Sequence, residues 1–230
     1  MYRTRSIQSS SSFLEKIFSF DFILFFSVLF LGIVSIFAQY SSSGGEFDYY
    51  AKSHLVRFLI FFLVFIIVSF IQVRFWYQSS YLLYILFFIL LLGVKYFGLV
   101  SSGSQRWINL YIINLQPSEL MKIGVILFLS KYYHRISSSD VNRLKFLILP
   151  IGVLLVPFIL VVTQPDLGTS ILILAGGVVV TWLAGVRLKF FTYFGIILIS
   201  LAPIVISFLK PYQKARILTF LNPDRDPLGA

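Results

Sequence analysis

The chain has 230 residues, of which 58% are hydrophobic, 18% aromatic and only 12% charged. Soluble domains run about 45–50% apolar and about 25% charged, so this balance excludes an ordinary soluble protein and points to a membrane one. The absence of cysteine excludes disulfides and thiolate metal centres, and the formal charge of +10 lies mostly in short segments between apolar runs. There it reports membrane topology and attraction to anionic lipid, not a nucleic-acid partner.

Taken in chain order, Met1–Ser12 is polar and serine-rich, and residues 1–20 are expected to form a cytoplasmic tail. No small-residue cleavage site follows the first apolar run, so it is read as a span and not as a signal peptide. Seven spans of bilayer-crossing length are predicted at Phe22–Ala38, Leu55–Val73, Tyr81–Val100, Pro117–Tyr132, Phe146–Val162, Thr169–Val186 and Phe190–Leu209. They are continuously apolar, which fits helices; barrel strands would alternate. The expected fold is therefore an all-α, polytopic membrane helix bundle over residues 21–209. Pro150, Pro157, Pro203 and the pair Gly176–Gly177 are breakers that membrane helices tolerate when neighbours satisfy the backbone. His54 and His134 are expected in different loops, so a metal site built on them is not expected.

Loop charge predicts the orientation. With the N-terminus inside, the inner segments hold Arg3, Arg5, Lys16, Arg74, Lys131, Arg135, Arg143, Lys145, Arg187 and Lys189, whereas the short outer loops hold Lys52 and Arg106. Residues 210–230 break the pattern with Lys210, Lys214, Arg216 and Arg225, and are expected to begin a large extracytoplasmic loop.

Four polar blocks interrupt the apolar pattern. In "QPSELMK", Pro117 suits the first helical position and Glu119 the positive end of the helix dipole, with Lys122 snorkelling to the interface. Alternatively, the i, i+3 spacing puts acid and base on one helix face as a paired functional site. In "TQPDLGTS", Asp166 is read either as a helix cap or as part of a polar pocket shared with Glu119. In "QRWINLYIINLQ", Trp107 and Tyr111 fit an interfacial aromatic belt, and Arg106 has the fork geometry that binds phosphate oxygens. "PYQKARILTFLNPDRDPLGA" carries turn signals at Asn222–Pro223 and Asp226–Pro227. No Walker loop, dinucleotide fingerprint, zinc motif or GxSxG elbow is present.

Together, "SQRW", "QPSELMK", "QPDLGTS" and "RILTFLNPDRDPLGA" resemble the SEDS family of shape, elongation, division and sporulation proteins. Asp226–Pro227–Leu228–Gly229 resembles its rod-shape branch, since the division branch usually has Phe at the third position. The resemblance implies a ten-helix peptidoglycan glycosyltransferase that polymerises lipid II on the outer face of the bacterial cytoplasmic membrane. It implies a class B penicillin-binding protein as partner, with lipid II as substrate and membrane lipids around it. The family's functional positions fall on Arg106, Trp107, Glu119, Lys122 and Asp166. It also implies that the catalytic aspartate lies in an outer loop past Ala230, so the chain is read as an N-terminal fragment, inactive alone. A division polymerase, a lipid-precursor flippase and a scaffold remain as alternatives. The cofactor is left undetermined, with a divalent cation open.

Overall fold

The structure is a computed structural model that describes residues 21–101, 104–109, 114–164, 166–208 and 214. The expected N-terminal tail, and residues 210–230 apart from Lys214, lie outside the described residues. Seven helices are present among those described: α1 (Phe22–Ser42), α2 (Tyr49–Ser69), α3 (Val73–Phe97), α4 (Pro117–His134), α5 (Leu144–Thr163), α6 (Leu167–Leu183) and α7 (Leu188–Phe208). Between α3 and α4 runs a small antiparallel sheet of β1 (Leu99–Ser101), β2 (Ser104–Asn109) and β3 (Asn114–Leu115), in that order. Four helical stretches are long and apolar enough to cross a membrane: Phe22–Ser42, Tyr49–Ser69, Val73–Val94 and Leu144–Thr163. The fold is thus a polytopic membrane helix bundle with a β appendage. It divides into two compact units, residues 1–75 and 76–230.

In the first unit α1 and α2 form a hairpin. Asp21 and Asp48 cap their N-termini, accepting from Leu24 N at 2.9 Å and Ala51 N at 2.8 Å. The connection turns at Gly44 and Gly45, both at positive φ (74° and 83°), where a side chain would be strained. Gly32 lets the helices close, because a Cβ there would overlap the Phe58 ring. Ser35 Oγ and His54 Nε2 hydrogen-bond at 3.0 Å across this interface, so a polar pair is satisfied inside an otherwise apolar contact.

The second unit is built around α4. Met121, Val125, Leu129 and Tyr133 recur every four residues, one helix face, and are buried against Leu91 of α3, Leu147, Val153, Leu154 and Val161 of α5, and Ile173 of α6. With Glu119, Lys122 and Lys131, α4 is too charged to count among the long apolar helices. Surrounded by neighbours, it needs less lipid-compatible surface. Gly177 brings α6 onto α5, where a Cβ would overlap Leu154.

The prolines of α5 show how its backbone is completed. Pro157 lacks the N–H that would bond Val153 O, and Pro150 the one for Phe146 O. Tyr84 Oη of α3 donates to Val153 O at 3.1 Å, and Tyr132 Oη of α4 to Phe146 O at 2.9 Å. Both prolines are fully buried. Two carbonyls that hydrocarbon would leave unsatisfied are therefore met from neighbouring helices.

At the other side of the unit, the α4–α5 and α6–α7 connections are tied together. Asn142 accepts from Arg187 N at 2.7 Å and donates to Gly185 O at 3.3 Å. Gly185 takes φ 91° just past the end of α6, a left-handed stop.

Several expectations are corrected. His54 and His134 lie in helices α2 and α4, not in loops. Helix α2 starts at Tyr49 instead of Leu55, because Asp48 caps it there. Val73, expected to end the second span, opens α3, and α3 stops at Phe97. Residues 99 and 100, taken as the end of a span, are in β1. Lys131 is not a loop charge: it is buried on α4, where Nζ donates to Gln78 O at 2.8 Å and sits 4.4 Å from the centre of the Tyr81 ring. A carbonyl and the ring's negative face replace its water.

Candidate functional site

Three of the four polar blocks converge at the end of the second unit where α3 and α5 finish and α4 and α6 begin; the fourth, apart from Lys214, lies outside the described residues. Asp166 caps α6, with Oδ1 accepting from Thr169 N at 3.2 Å. Its other oxygen, Oδ2, accepts from Gln116 Nε2 at 2.7 Å and stands 3.6 Å from Arg106 Nη1. The residue is only 8% exposed, and these partners make burial of the carboxylate tolerable. Asp166 thus caps a helix and joins a polar cluster with Gln116 and Arg106, whereas Glu119, with which a shared pocket was expected, pairs with Lys122 instead.

Each partner is positioned by a different element. Arg106 lies in the middle of β2, which pairs with β1 through Leu99↔Trp107 and with β3 through Ile108↔Leu115. Trp107, half-buried, is its strand neighbour and so faces the opposite side of the sheet. Gln116 is the residue before Pro117 at the start of α4, and its Nε2 also donates to Ser118 Oγ at 3.1 Å. Gln164, in the turn ahead of Asp166, donates from Nε2 to Leu91 O of α3 at 3.0 Å. The α5–α6 turn is thereby attached to α3, β2 and α4 at once.

Glu119 and Lys122 form the second group, on α4 within two turns of Gln116. Lys122 Nζ is 2.8 Å from Glu119 Oε2, with side chains 25% and 51% exposed respectively. Glu119 sits favourably near the helix N-terminus, whereas the Lys122 ammonium works against the dipole there. The glutamate offsets that disadvantage. The result is a cation held close to the helix start and still partly open to its surroundings, a suitable contact for an anion.

Sequence reasoning missed Gln116, Gln164 and Ser118. A signal was present: Gln116–Pro117 and Gln164–Pro165 each precede a membrane helix, where an uncharged side chain can satisfy neighbouring polar groups without adding charge. It also missed the sheet, although Trp107 and Ile108 favour strands and Ser102–Gly103 marks a turn between apolar runs.

Fold and site together define a class: a multi-pass membrane protein with charged and amide side chains gathered at one end of its bundle. The family model for FtsW/RodA/SpoVE cell cycle proteins matches residues 15–230, and the chain belongs to that family. It is 39% identical over 151 residues to the "Peptidoglycan glycosyltransferase MrdB" of Escherichia coli strain K12, covering 64% of this chain and 40% of that protein. It is 33% identical over 181 residues to the "Probable peptidoglycan glycosyltransferase FtsW" of Buchnera aphidicola subsp. Schizaphis graminum, covering 79% of this chain and 51% of that protein. Among solved structures, a chain from "Structural coordination of polymerization and crosslinking by a peptidoglycan synthase complex" is similar with a TM-score of 0.72 and 29% identity, over 89% of this chain and 61% of that one. The rod shape determining protein RodA of Thermus thermophilus is similar with a TM-score of 0.64 and 25% identity, over 77% and 58%. The chain spans about half the length of the curated relatives it matches.

Proposed function

We propose that this chain carries the substrate-facing part of a peptidoglycan glycosyltransferase, which polymerises lipid II into glycan strands during elongation of a rod-shaped cell. The observation that carries the reading is that the charged cluster at the start of α4 and α6 lies in a chain of this family. Seven spans, with the N-terminus and the α4–α5 and α6–α7 connections cytoplasmic, put the cluster at the outer face. Arg135, Arg143, Lys145, Arg187 and Lys189 near those connections support that orientation. A class B penicillin-binding protein that crosslinks the strands is the partner, in keeping with the peptidoglycan synthase complex among the structural relatives.

A diphosphate leaving group gains negative charge as the glycosidic bond breaks, and fixed cations beside it stabilise the transition state. Lys122 fills that role, with Glu119 holding its ammonium in place. Arg106 contributes a second cation, and Asp166 with Gln116 orients it. Trp107, half-buried, lies on the opposite face of the same strand. The proton of the attacking sugar hydroxyl goes to a carboxylate, which we assign to the loop aspartate that the family resemblance puts after Ala230.

The complete protein, purified and supplied with lipid II, tests this. Glycan polymer supports the reading. Leaflet exchange of lipid II without polymer means a flippase, and neither means a scaffold. Depletion in cells separates the branches: rounded cells mean elongation, filaments mean division.

A further inference from the structure

Helix α2 carries a charge that the rest of its unit leaves unanswered and that glycan synthesis does not use. From Leu55 to Val68 every residue is apolar except Arg57. Arg57 stands eight residues past Tyr49, where the helix begins, about 12 Å along its axis. The helix is one of the four long and apolar enough to cross a membrane. Arg57 is exposed, and so are Val56, Leu59, Phe61 and Val64 near it. A charge on such a surface is costly in hydrocarbon and asks for a partner.

That partner is not in the described part of the unit. Its described acids, Asp21, Glu46 and Asp48, lie outside the two helices, and Asp21 and Asp48 serve as their caps. No ion pair among the described residues includes Arg57. The polar neighbours at the α1 interface add a donor and no acid: Ser35 Oγ donates to Gly32 O at 2.8 Å, so His54 Nε2 donates to Ser35 at 3.0 Å. Arg57 itself is folded back by one turn. Its Nε donates to Ser53 O at 3.1 Å and its Nη2 to Ser53 Oγ at 2.9 Å. Three N–H groups are left, on the edge shared by Nη1 and Nη2, and that edge can grip both oxygens of a carboxylate.

The fold-back also sets the depth. Ser53 is four residues in from Tyr49, so the guanidinium is held about 6 Å inside the start of the helix. Tyr49 and Tyr50 are both exposed there, at the level where interfacial aromatics meet the head groups. Lipid phosphates lie at or beyond that level, short of the tethered guanidinium. A carboxylate on a neighbouring helix can stand at any depth, and a helix crosses lipid with its backbone satisfied. We propose that the Arg57 face of α2 docks a transmembrane helix of a partner protein, one that carries an aspartate or glutamate level with Ser53 and Arg57. Val56, Leu59, Phe61 and Val64 supply the apolar surround for that helix, and the carboxylate supplies the charge that Arg57 lacks.

The test uses the complete protein, labelled with a fluorescent donor, in phosphatidylcholine vesicles. The probe is an acceptor-labelled single-span peptide of leucine and alanine with one glutamate two turns from its end, and energy transfer reports association. The glutamate peptide should bind about fivefold more tightly than the same peptide with glutamine, the scale of one polar contact between membrane helices. Arg57→Gln should bring the two peptides level, and Arg57→Lys, which keeps the charge but not the fork, should retain part of the preference. Arg57→Glu should reverse it, selecting a peptide with arginine at the same place. Should that variant fail to insert, Arg57→Gln and Arg57→Lys decide. Equal binding of the glutamate and glutamine peptides by the unaltered protein overturns the proposal, as does a preference that survives Arg57→Gln. So does a preference abolished by replacing half of the phosphatidylcholine with phosphatidylglycerol, which would assign Arg57 to lipid phosphate.

Discussion

Removing the Lys122–Glu119 pair separates a catalytic from a structural account of the charges on α4. The pair is short, at 2.8 Å, but the side chains are 25% and 51% exposed. For a stability role that exposure sets a low ceiling, since ion pairs of this kind contribute about 0.2–1 kcal/mol. Glu119→Ala or Lys122→Ala should therefore shift the unfolding of the complete protein by under about 1 kcal/mol. Activity has a different scale. Loss of one donor to a developing charge typically costs about 10²–10³ in rate, or about 2.7–4 kcal/mol. Lys122→Ala should fall in that range for lipid II polymerisation. Glu119→Ala, which leaves the ammonium present but unheld, should lose about tenfold, near 1.4 kcal/mol. The double variant should then resemble Lys122→Ala alone, giving a coupling energy of roughly 1.4 kcal/mol. Polymerisation rate and thermal unfolding are measured on the same preparations. Additive losses would mean two independent roles. Activity that falls only in step with unfolding would refute the catalytic account.

Asp166→Ala should destabilise the protein by about 1–2 kcal/mol, because it removes the cap on α6 and one of the two acceptors of the half-buried Gln116 amide; Asp166→Asn, which still caps, should be milder in unfolding yet still lower polymerisation. Tyr84→Phe should cost about 1 kcal/mol in detergent unfolding, and much less in a Pro157→Ala background, where the restored N–H serves Val153 O; equal costs in both would show that the hydroxyl is not replacing the missing donor. For topology, an impermeant thiol reagent applied to intact cells should label Ser43→Cys and miss Ser138→Cys, and the reverse would invert the orientation.

The helices were legible because their signal is local. Long apolar runs ask for internal hydrogen bonding, and Pro117 and Asp166 mark the starts of α4 and α6, whereas the start of α2 at Tyr49, capped by Asp48, lies ahead of the expected Leu55. The Glu119–Lys122 contact was likewise legible, since i, i+3 spacing fixes it within one helix. What stayed hidden depends on partners far away in sequence. Lys131 looks like a loop charge until Gln78 and Tyr81, some fifty residues earlier, are seen to enclose it. His54 looks like a loop residue until Ser35 is set against it. Arg106 looks like one basic residue near one tryptophan, and only the pairing of β2 with its neighbours brings it to Asp166, sixty positions on. The family resemblance singles out Arg106 and Asp166; the backbone explains how they meet.

The tyrosines that complete α5 bear on how the bundle is made. Helix α5 is the most apolar of the four helices long enough to cross a membrane among the described residues, and looks well suited to enter a bilayer unaided. Its backbone is not: Phe146 O and Val153 O each lack a partner within the helix, and an unsatisfied group in hydrocarbon costs several kcal/mol. Tyr84 and Tyr132 both precede α5 in the chain, so translation delivers the donors before the acceptors. Arriving after α3 and α4, α5 can dock as it inserts. Moving its coding segment ahead of theirs would send the same apolar helix into lipid before its hydrogen-bond donors had been synthesised.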